Sequence, residues 1–387
     1  VFYQGLGGRH YEHLVYETLA SQYYNKKYYK SGASTLRAFV KRYPNDVLAP
    51  DFYQRIITGY EKAGYSTLLR KHKKIFVNTY GVEGMYWNLH GLAVRETIKP
   101  VLADYIWDLA RFNHAWGQRI KKKSEKNARL QDAIDWYSEY IRSFPNANDT
   151  AKAHFLLAEV AYQMRQYPLA KDHYEIVAYQ YPKYEKASEA GYAAILTYSK
   201  HKPLKSDKAI WRQLTVASAM RFSQEFPSDS RRGQVLVNTA EMLLTDKYYE
   251  QALMTAKLAE SAEGELSVRH EYGAALVSGH AAFYLEKYEL AETSIVDALQ
   301  YNKIKPKVRK DLREKLAASI YKQGETAKAE GDYKLAVSNW LRIATTVPES
   351  DIKVSAEFDA ATLLMADEKY NEAVPVLLAF RSSYPKH

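Results

Sequence analysis

The stretch RQYPLAKDHYEIVAYQYPKYEKA, Arg165–Ala187, sets a tyrosine at 167, an alanine at 170, a second tyrosine at 174 and a proline at 182. The interval returns along the chain. Tyr29, Gly32, Leu36 and Pro44 repeat it, as do Tyr333, Ala336, Trp340 and Pro348, and then Tyr370, Ala373, Leu377 and Pro385. Leu130, Ala133, Tyr137 and Pro145 match with leucine in first place. Tyr249, Ala252, Ala256 and Tyr288, Ala291, Ile295 match without the proline. Twelve residues before the central small residue stands another: Ala20, Ala158, Ala240, Gly279, Gly324 and Ala361.

This spacing has a physical reading. Two small residues on facing helices let the helices approach closely. The bulky residue seven positions later lies on the same face, two turns on. The aromatic at the start of the second helix wedges under the hairpin. Proline stops that helix because it cannot donate the next backbone bond. Each unit is a helix–turn–helix that cannot bury its apolar face alone, so neighbours must stack on it.

The pattern resembles the tetratricopeptide repeat, best at Leu157-Ala158, Tyr167, Ala170, Tyr174 and Pro182. The resemblance implies an all-α fold, a right-handed solenoid of stacked hairpins. It covers most of the chain in seven good units and two degraded ones, at 48–80 (Leu68 where alanine is expected) and 187–227 (Thr215). Tyrosine-to-tyrosine spacings of mostly 36–39 residues and endings such as FVKRYP, YIRSFP and FRSSYP look like exported bacterial members. These include the Bam-complex lipoprotein and the Tol-associated division coordinator.

Composition agrees with a helical, core-forming chain. Of 387 residues 47% are hydrophobic and 26% charged, while glycine (17) and proline (12) are scarce. The absence of cysteine excludes disulfides, thiolate chemistry and cysteine-based zinc sites. No apolar run is long enough to span a membrane. The opening residues VFYQGLGGRHYEHL lack the apolar stretch of a signal peptide. A net charge of +10 favours anionic partners.

Three segments organise the chain: N-terminal repeats at 1–80, a connector at 81–97 (GVEGMYWNLHGLAVRET) and a main solenoid at 98–387. Basic insertions are expected at 117–129 (GQRIKKKSEKNAR) and 200–208 (KHKPLKSDK), with a further basic stretch at 302–315 (NKIKPKVRKDLREK). Lys121, Lys122, Lys123, Lys305 and Lys307 are candidates for contact with an anionic surface, the plainer reading being lysines that keep the array in solution. Nucleic acid is not the expected partner, because these runs form no reader module and lack interleaved aromatics.

No catalytic motif is present. HEYGA at 270–274 has Ala274 where a zinc helix needs its second histidine. His10 and His13 share a helix face but have no third ligand, and GLGG at 5–8 is no dinucleotide fingerprint. The chain has no phosphate loop and no nucleophile elbow. The expectation is a protein that is not an enzyme and takes no cofactor, metal or small-molecule substrate.

In such a superhelix the first helix of each unit lines the inner wall. The family's inward positions fall on Phe155, Glu159 and Tyr162, on Glu241, on His280, Phe283 and Tyr284, on Tyr321 and Glu325, and on Phe358. Aromatics with acids between them suit a partner helix or extended peptide carrying apolar and basic groups. Asn238 and Lys322 stand where some members grip a terminal carboxylate, but the rest of that grip is unmatched. The sequence therefore predicts a scaffold that binds one or more proteins, in the periplasm or at the outer membrane of a Gram-negative envelope. The alternatives are a cytosolic adaptor or co-chaperone, and an anion binder acting through the basic stretches on cell-wall polymer or nucleic acid.

Overall fold

The computed structural model describes residues 10–262 and 266–385. The glycine-rich stretch 5–8 lies outside them. The chain divides into two compact units, residues 1–201 and 202–387. In the first lie α1 (Glu12–Asn25), α2 (Tyr29–Arg42), α3 (Ala49–Lys62), α4 (Ser66–Tyr80), the short α5 (Met85–Leu89), α6 (Leu92–Arg119), α7 (Lys123–Ser143), α8 (Thr150–Gln163), α9 (Tyr167–Gln180) and α10 (Ala187–Lys200). In the second, a 3-10 turn (Lys205–Asp207) leads into α11 (Lys208–Glu225) and α12 (Arg232–Thr245). There follow α13 (Tyr249–Glu260), α14 (Val268–Tyr284), α15 (Tyr288–Leu299), α16 (Pro306–Ala329), α17 (Tyr333–Thr346), α18 (Ile352–Ala366) and α19 (Tyr370–Ser383). Within each unit every helix packs on the next, α4 reaching past α5 to α6. The fold is an all-α solenoid of stacked helix–turn–helix repeats, with no strand among the described residues.

Two local devices cut the chain at the same places in successive repeats. Between first and second helix, one residue adopts positive φ in seven hairpins: Lys27, Gly64, Arg165, Lys247, Glu286, Gly331 and Glu368, at 56–85°. The next residue's N–H reaches back five residues, as in Tyr28 N to Tyr23 O (2.8 Å), Gln166 N to Ala161 O (2.8 Å) and Asp332 N to Ala327 O (2.9 Å). This left-handed turn satisfies carbonyls that the ending helix leaves free. Six second helices then stop on a residue with φ −123 to −137° and ψ 58 to 68° (Tyr43, Phe144, Tyr181, Phe226, Val347 and Tyr384). Each precedes a proline, whose ring excludes the helical region for its neighbour.

The small residues lie where the spacing puts them. Ala20, Ala158, Ala170, Ala240, Ala252, Ala291, Ala336, Ala361 and Ala373 are fully buried. A Cβ at Gly32 would stand 2.6 Å from the Tyr24 ring, and one at Gly279 2.7 Å from Ile295 Cγ1. Leu36, Tyr137, Tyr174, Ala256, Ile295 and Trp340, seven residues after the opening position of their units, are buried, whereas Leu377 in α19 is exposed. The opening tyrosines vary: Tyr29, Tyr167, Tyr249 and Tyr288 are half-buried, while Tyr333 and Tyr370 are exposed. In the first unit His154 and His173 join α8 to α9 through a 2.7 Å Nδ1···Nδ1 hydrogen bond, which requires one ring to donate from a protonated Nδ1 and the other to be neutral and accept at an unprotonated Nδ1.

Some boundaries differ from the sequence reading. The 48–80 unit keeps the regular turn through Gly64. The unit with Leu130 does not: α6 and α7 run to 28 and 21 residues and meet through Ile120 and Lys122 in extended conformation. Most of 117–129 is therefore helix, as is most of 302–315, because Lys, Glu, Arg and Ala are good helix formers. The connector 81–97 holds α5 and the opening turns of α6, within the first compact unit.

Three substitutions test the hairpin. Ala170→Arg should destabilise by ~3 kcal/mol or more, since it forces a charged chain into a fully packed crossing; a urea midpoint equal to wild type would contradict that placement. Arg165→Gly should stabilise by ~0.5–1 kcal/mol by removing left-handed strain, and Gly331→Lys should do the reverse.

Candidate partner-binding wall

The predicted wall residues fall in both units, three in the first and seven in the second. In the first unit Phe155 on α8 is 5% exposed. Its ring meets Tyr174 and Tyr184 at 5.9 and 6.4 Å, and Lys186 Nζ lies 4.8 Å from its centroid. This corrects its reading as an accessible groove residue: the loop after α9 folds over it. Glu159 is exposed, and its Oε1 accepts a 2.5 Å hydrogen bond from the Tyr174 hydroxyl. Tyr162 stands edge-on to Tyr167 at 5.6 Å.

In the second unit α14 and α16 carry the densest group. Lys315 of α16 sets its ammonium 4.2 Å from the Phe283 centroid and 4.7 Å from that of Tyr284. Tyr284, 52% exposed, stacks on Tyr249 of α13 at 4.5 Å. Phe283 is half-buried and stands edge-on to Tyr288. His280, one turn earlier on α14, is half-buried. Burial, with Lys315 beside it, holds its imidazole neutral and pushes its pKa down to about 4. Among the described residues no carboxylate pairs with Lys315.

Further along, Tyr321 donates its hydroxyl to Asp359 Oδ2 at 2.5 Å, linking α16 to α18, and its carbonyl accepts from Trp340 Nε1 at 3.1 Å. Burial, then the Asp359 hydrogen bond, pushes this phenol's pKa far up. Glu325 is paired with Lys322 at 2.5 Å. Phe358 on α18 is 49% exposed and lies 5.9 Å from Phe380. Glu241 on α12 is exposed, with no ion pair among the described residues.

The acids of the wall are thus mostly engaged by tyrosine or lysine, and its centre presents a lysine lying on aromatic faces. Sequence reasoning missed Lys315, which falls nine residues before Gly324 in a helix longer than the repeat. It also missed an open apolar groove of about 460 Å³ among α11, α12 and α13, lined by Val216, Met220, Leu243, Tyr248, Met254 and Leu258. Its signal was the apolar spacing of Tyr248, just before α13, with Met254 and Leu258 on it. Lys121, Lys122, Lys123, Lys305 and Lys307 are all exposed. Among the described residues no group of three or more His, Cys, Asp or Glu could hold a metal, and no helix is long and apolar enough to cross a membrane.

The tetratricopeptide repeat family model matches residues 152–184, which hold nearly all of the α8–α9 hairpin. No curated protein matches the sequence. Among solved structures, pilF of Pseudomonas aeruginosa is 16% identical, with 66% of this chain and 98% of that one covered and a TM-score of 0.29. Naa15/Naa10 bound to HypK-THB is 12% identical over 96% of this chain and 51% of that one, with a TM-score of 0.37. The C-terminal part of a TPR repeat-containing protein from Cytophaga hutchinsonii is 10% identical over 87% and 97%, with a TM-score of 0.30. Likenesses this loose carry no argument about role. The matched hairpin shares its turn with six others, so the solenoid is built of stacked, tetratricopeptide-like helix–turn–helix repeats.

The His280 environment has a pH signature. The unfolded imidazole binds a proton near 6.5, but the folded one only near 4. Its contribution to stability is present above pH 6.5 and is lost as pH falls towards 4. Urea midpoints of the wild type should drop across that window, and those of His280→Asn should drop less. Lys315→Met should raise the His280 pKa, read from its ring-proton titration.

Proposed function

We propose that this chain is a scaffold holding a protein partner on the α14–α16–α18 wall of its second unit. The observation that carries the reading is Lys315, a half-buried cation on two aromatic rings with no carboxylate against it. Large aromatic side chains beside an unpaired charge are what concentrates binding energy in an interface. The partner that suits the wall is a helix or extended segment with apolar anchors over Tyr284 and Phe358 and an acidic residue at Lys315. This departs from the basic partner expected from the sequence, since Glu159 and Glu325 are already engaged.

An exported, cell-envelope setting is supported by the lengthened units and their aromatic–proline endings. The rival setting is that of a cytosolic adaptor of the same architecture. Fractionation of the native organism separates the two: recovery with periplasm or outer membrane supports the first, and recovery with cytosol overturns it. Lys121, Lys122, Lys123, Lys305 and Lys307 are proposed as contacts with an anionic surface; of these only Lys122 has an acidic partner, Glu125, among the described residues.

Crosslinking in the native organism would identify the partner. With it in hand, Tyr284→Ala, Phe358→Ala and Lys315→Gln combined should weaken binding by roughly tenfold or more at unchanged helicity. Undiminished affinity would remove this wall from the proposal.

A further inference from the structure

We propose that the end of the α6–α7 hairpin is a docking surface for an anionic lipid bilayer. The inference rests on the reading of Lys121, Lys122 and Lys123 as an anion contact, and names what they meet.

The hairpin is built to protrude. Its close crossing is at Gly117, where a Cβ would stand 2.7 Å from Leu130 Cδ2. Beyond that point, residues 118–129 are exposed except for Ile120 and Lys126, which are half-exposed. The extra length of α7 before Leu130 is seven residues, about 10 Å at 1.5 Å per residue.

This end carries six cations, Arg119, Lys121, Lys122, Lys123, Lys126 and Arg129, and one carboxylate, Glu125. Glu125 is taken by Lys122 at 2.7 Å, and Arg129 reaches Asn113 and Asp132. Arg119, Lys121, Lys123 and Lys126 have no acidic partner among the described residues. At the base stands an aromatic stack. Arg70 of α4 lies 4.1 Å over the Phe112 ring, and Trp116 stacks on Phe112 at 6.0 Å and 15°. Trp116 is 45% exposed. Phe112 and Trp116, four residues apart, share one side of α6, and Ile120 follows directly after the helix as an extended residue among the cations.

Two independent features meet here. Exposed lysines at the end of a hairpin suit a plane of smeared negative charge. A half-exposed tryptophan followed by an isoleucine suits the headgroup boundary, where an indole's apolar body and polar N–H are both accommodated. The exposure of residues 118–129 offers little enclosure for a peptide. The one exposed indole at this end is already stacked on Phe112 and offers no series of platforms for bases.

The test is co-sedimentation of the full chain with vesicles. Binding is expected to phosphatidylcholine–phosphatidylglycerol vesicles, to weaken with salt and to be absent from pure phosphatidylcholine. Lys121→Gln, Lys122→Gln and Lys123→Gln together should lower the partition coefficient on the order of 100-fold at unchanged helicity. Brominated lipid should quench part of the tryptophan emission, and Trp116→Phe should remove that part. Equal binding to neutral vesicles, unaltered binding of the triple variant, or quenching that persists in Trp116→Phe would overturn the proposal. Retention on immobilised polyglutamate through the same lysines, with no vesicle binding, would overturn the lipid assignment and leave the anion contact standing. Loss of both would end both.

Discussion

The close crossing of two helices within each hairpin is the constraint on which the rest depends. It needs slim side chains on both sides, because anything added at Gly117, Gly279 or Gly324 meets Leu130, Ile295 or the Trp340 indole. Closeness in turn brings the bulky seventh residue under the neighbouring helix, where Tyr174, Ile295 and Trp340 are buried. Stacking supplies the remaining burial, so that each hairpin depends on the next and stability accrues along the array. The left-handed turn keeps the two helices in register, and it is adopted at five positions by charged residues instead of glycine.

Tyrosine is the second structural theme. Its ring fills the core, while its hydroxyl seeks a partner. Tyr24 donates to the Arg55 carbonyl at 3.2 Å, Tyr198 to Glu175 at 3.1 Å, and Tyr321 to Asp359 at 2.5 Å. The partners lie 31, 23 and 38 residues away, so these bonds tie one helical pair to another. Burial pushes the Tyr24 pKa up to about 12. The same habit uses up acids that a sequence reading would leave free for a ligand, as at Glu159.

How much was legible follows from what leaves a periodic trace. Crossings, turns and proline stops recur at fixed offsets, so the second helices at Tyr29, Tyr167, Tyr249, Tyr288, Tyr333 and Tyr370 begin where the spacing puts them. The polar extension of α7 leaves no such trace, because a helix with no buried face has no apolar period, and KKKSEKNAR reads only as a basic insertion. Of the wall, Tyr284 and Phe358 are exposed. Phe155 is not, because Tyr184 closes over it from a loop whose path no helical period encodes. Lys315 was illegible for a related reason: its partners Phe283 and Tyr284 lie on a different helix, more than thirty residues away. The division after His201 was equally hidden, since a degraded register at Thr215 marks a weak repeat without saying where one compact unit gives way to the next.

Charge is sorted by how it is held. Along the wall it is fixed: Glu325 by Lys322, Asp359 by Tyr321 and Lys315 by two rings. Fixed groups lose little side-chain freedom on binding, so they favour one geometry of partner. At the α6–α7 end the lysines are exposed, and most have no partner to fix them. Such groups follow any extended negative surface and discriminate poorly among shapes, but their attraction acts over roughly a Debye length, about 8 Å at physiological salt. The two proposed contacts therefore differ in physics: a selective one where cations and acids are immobilised against aromatics, and a permissive one where they are left in water.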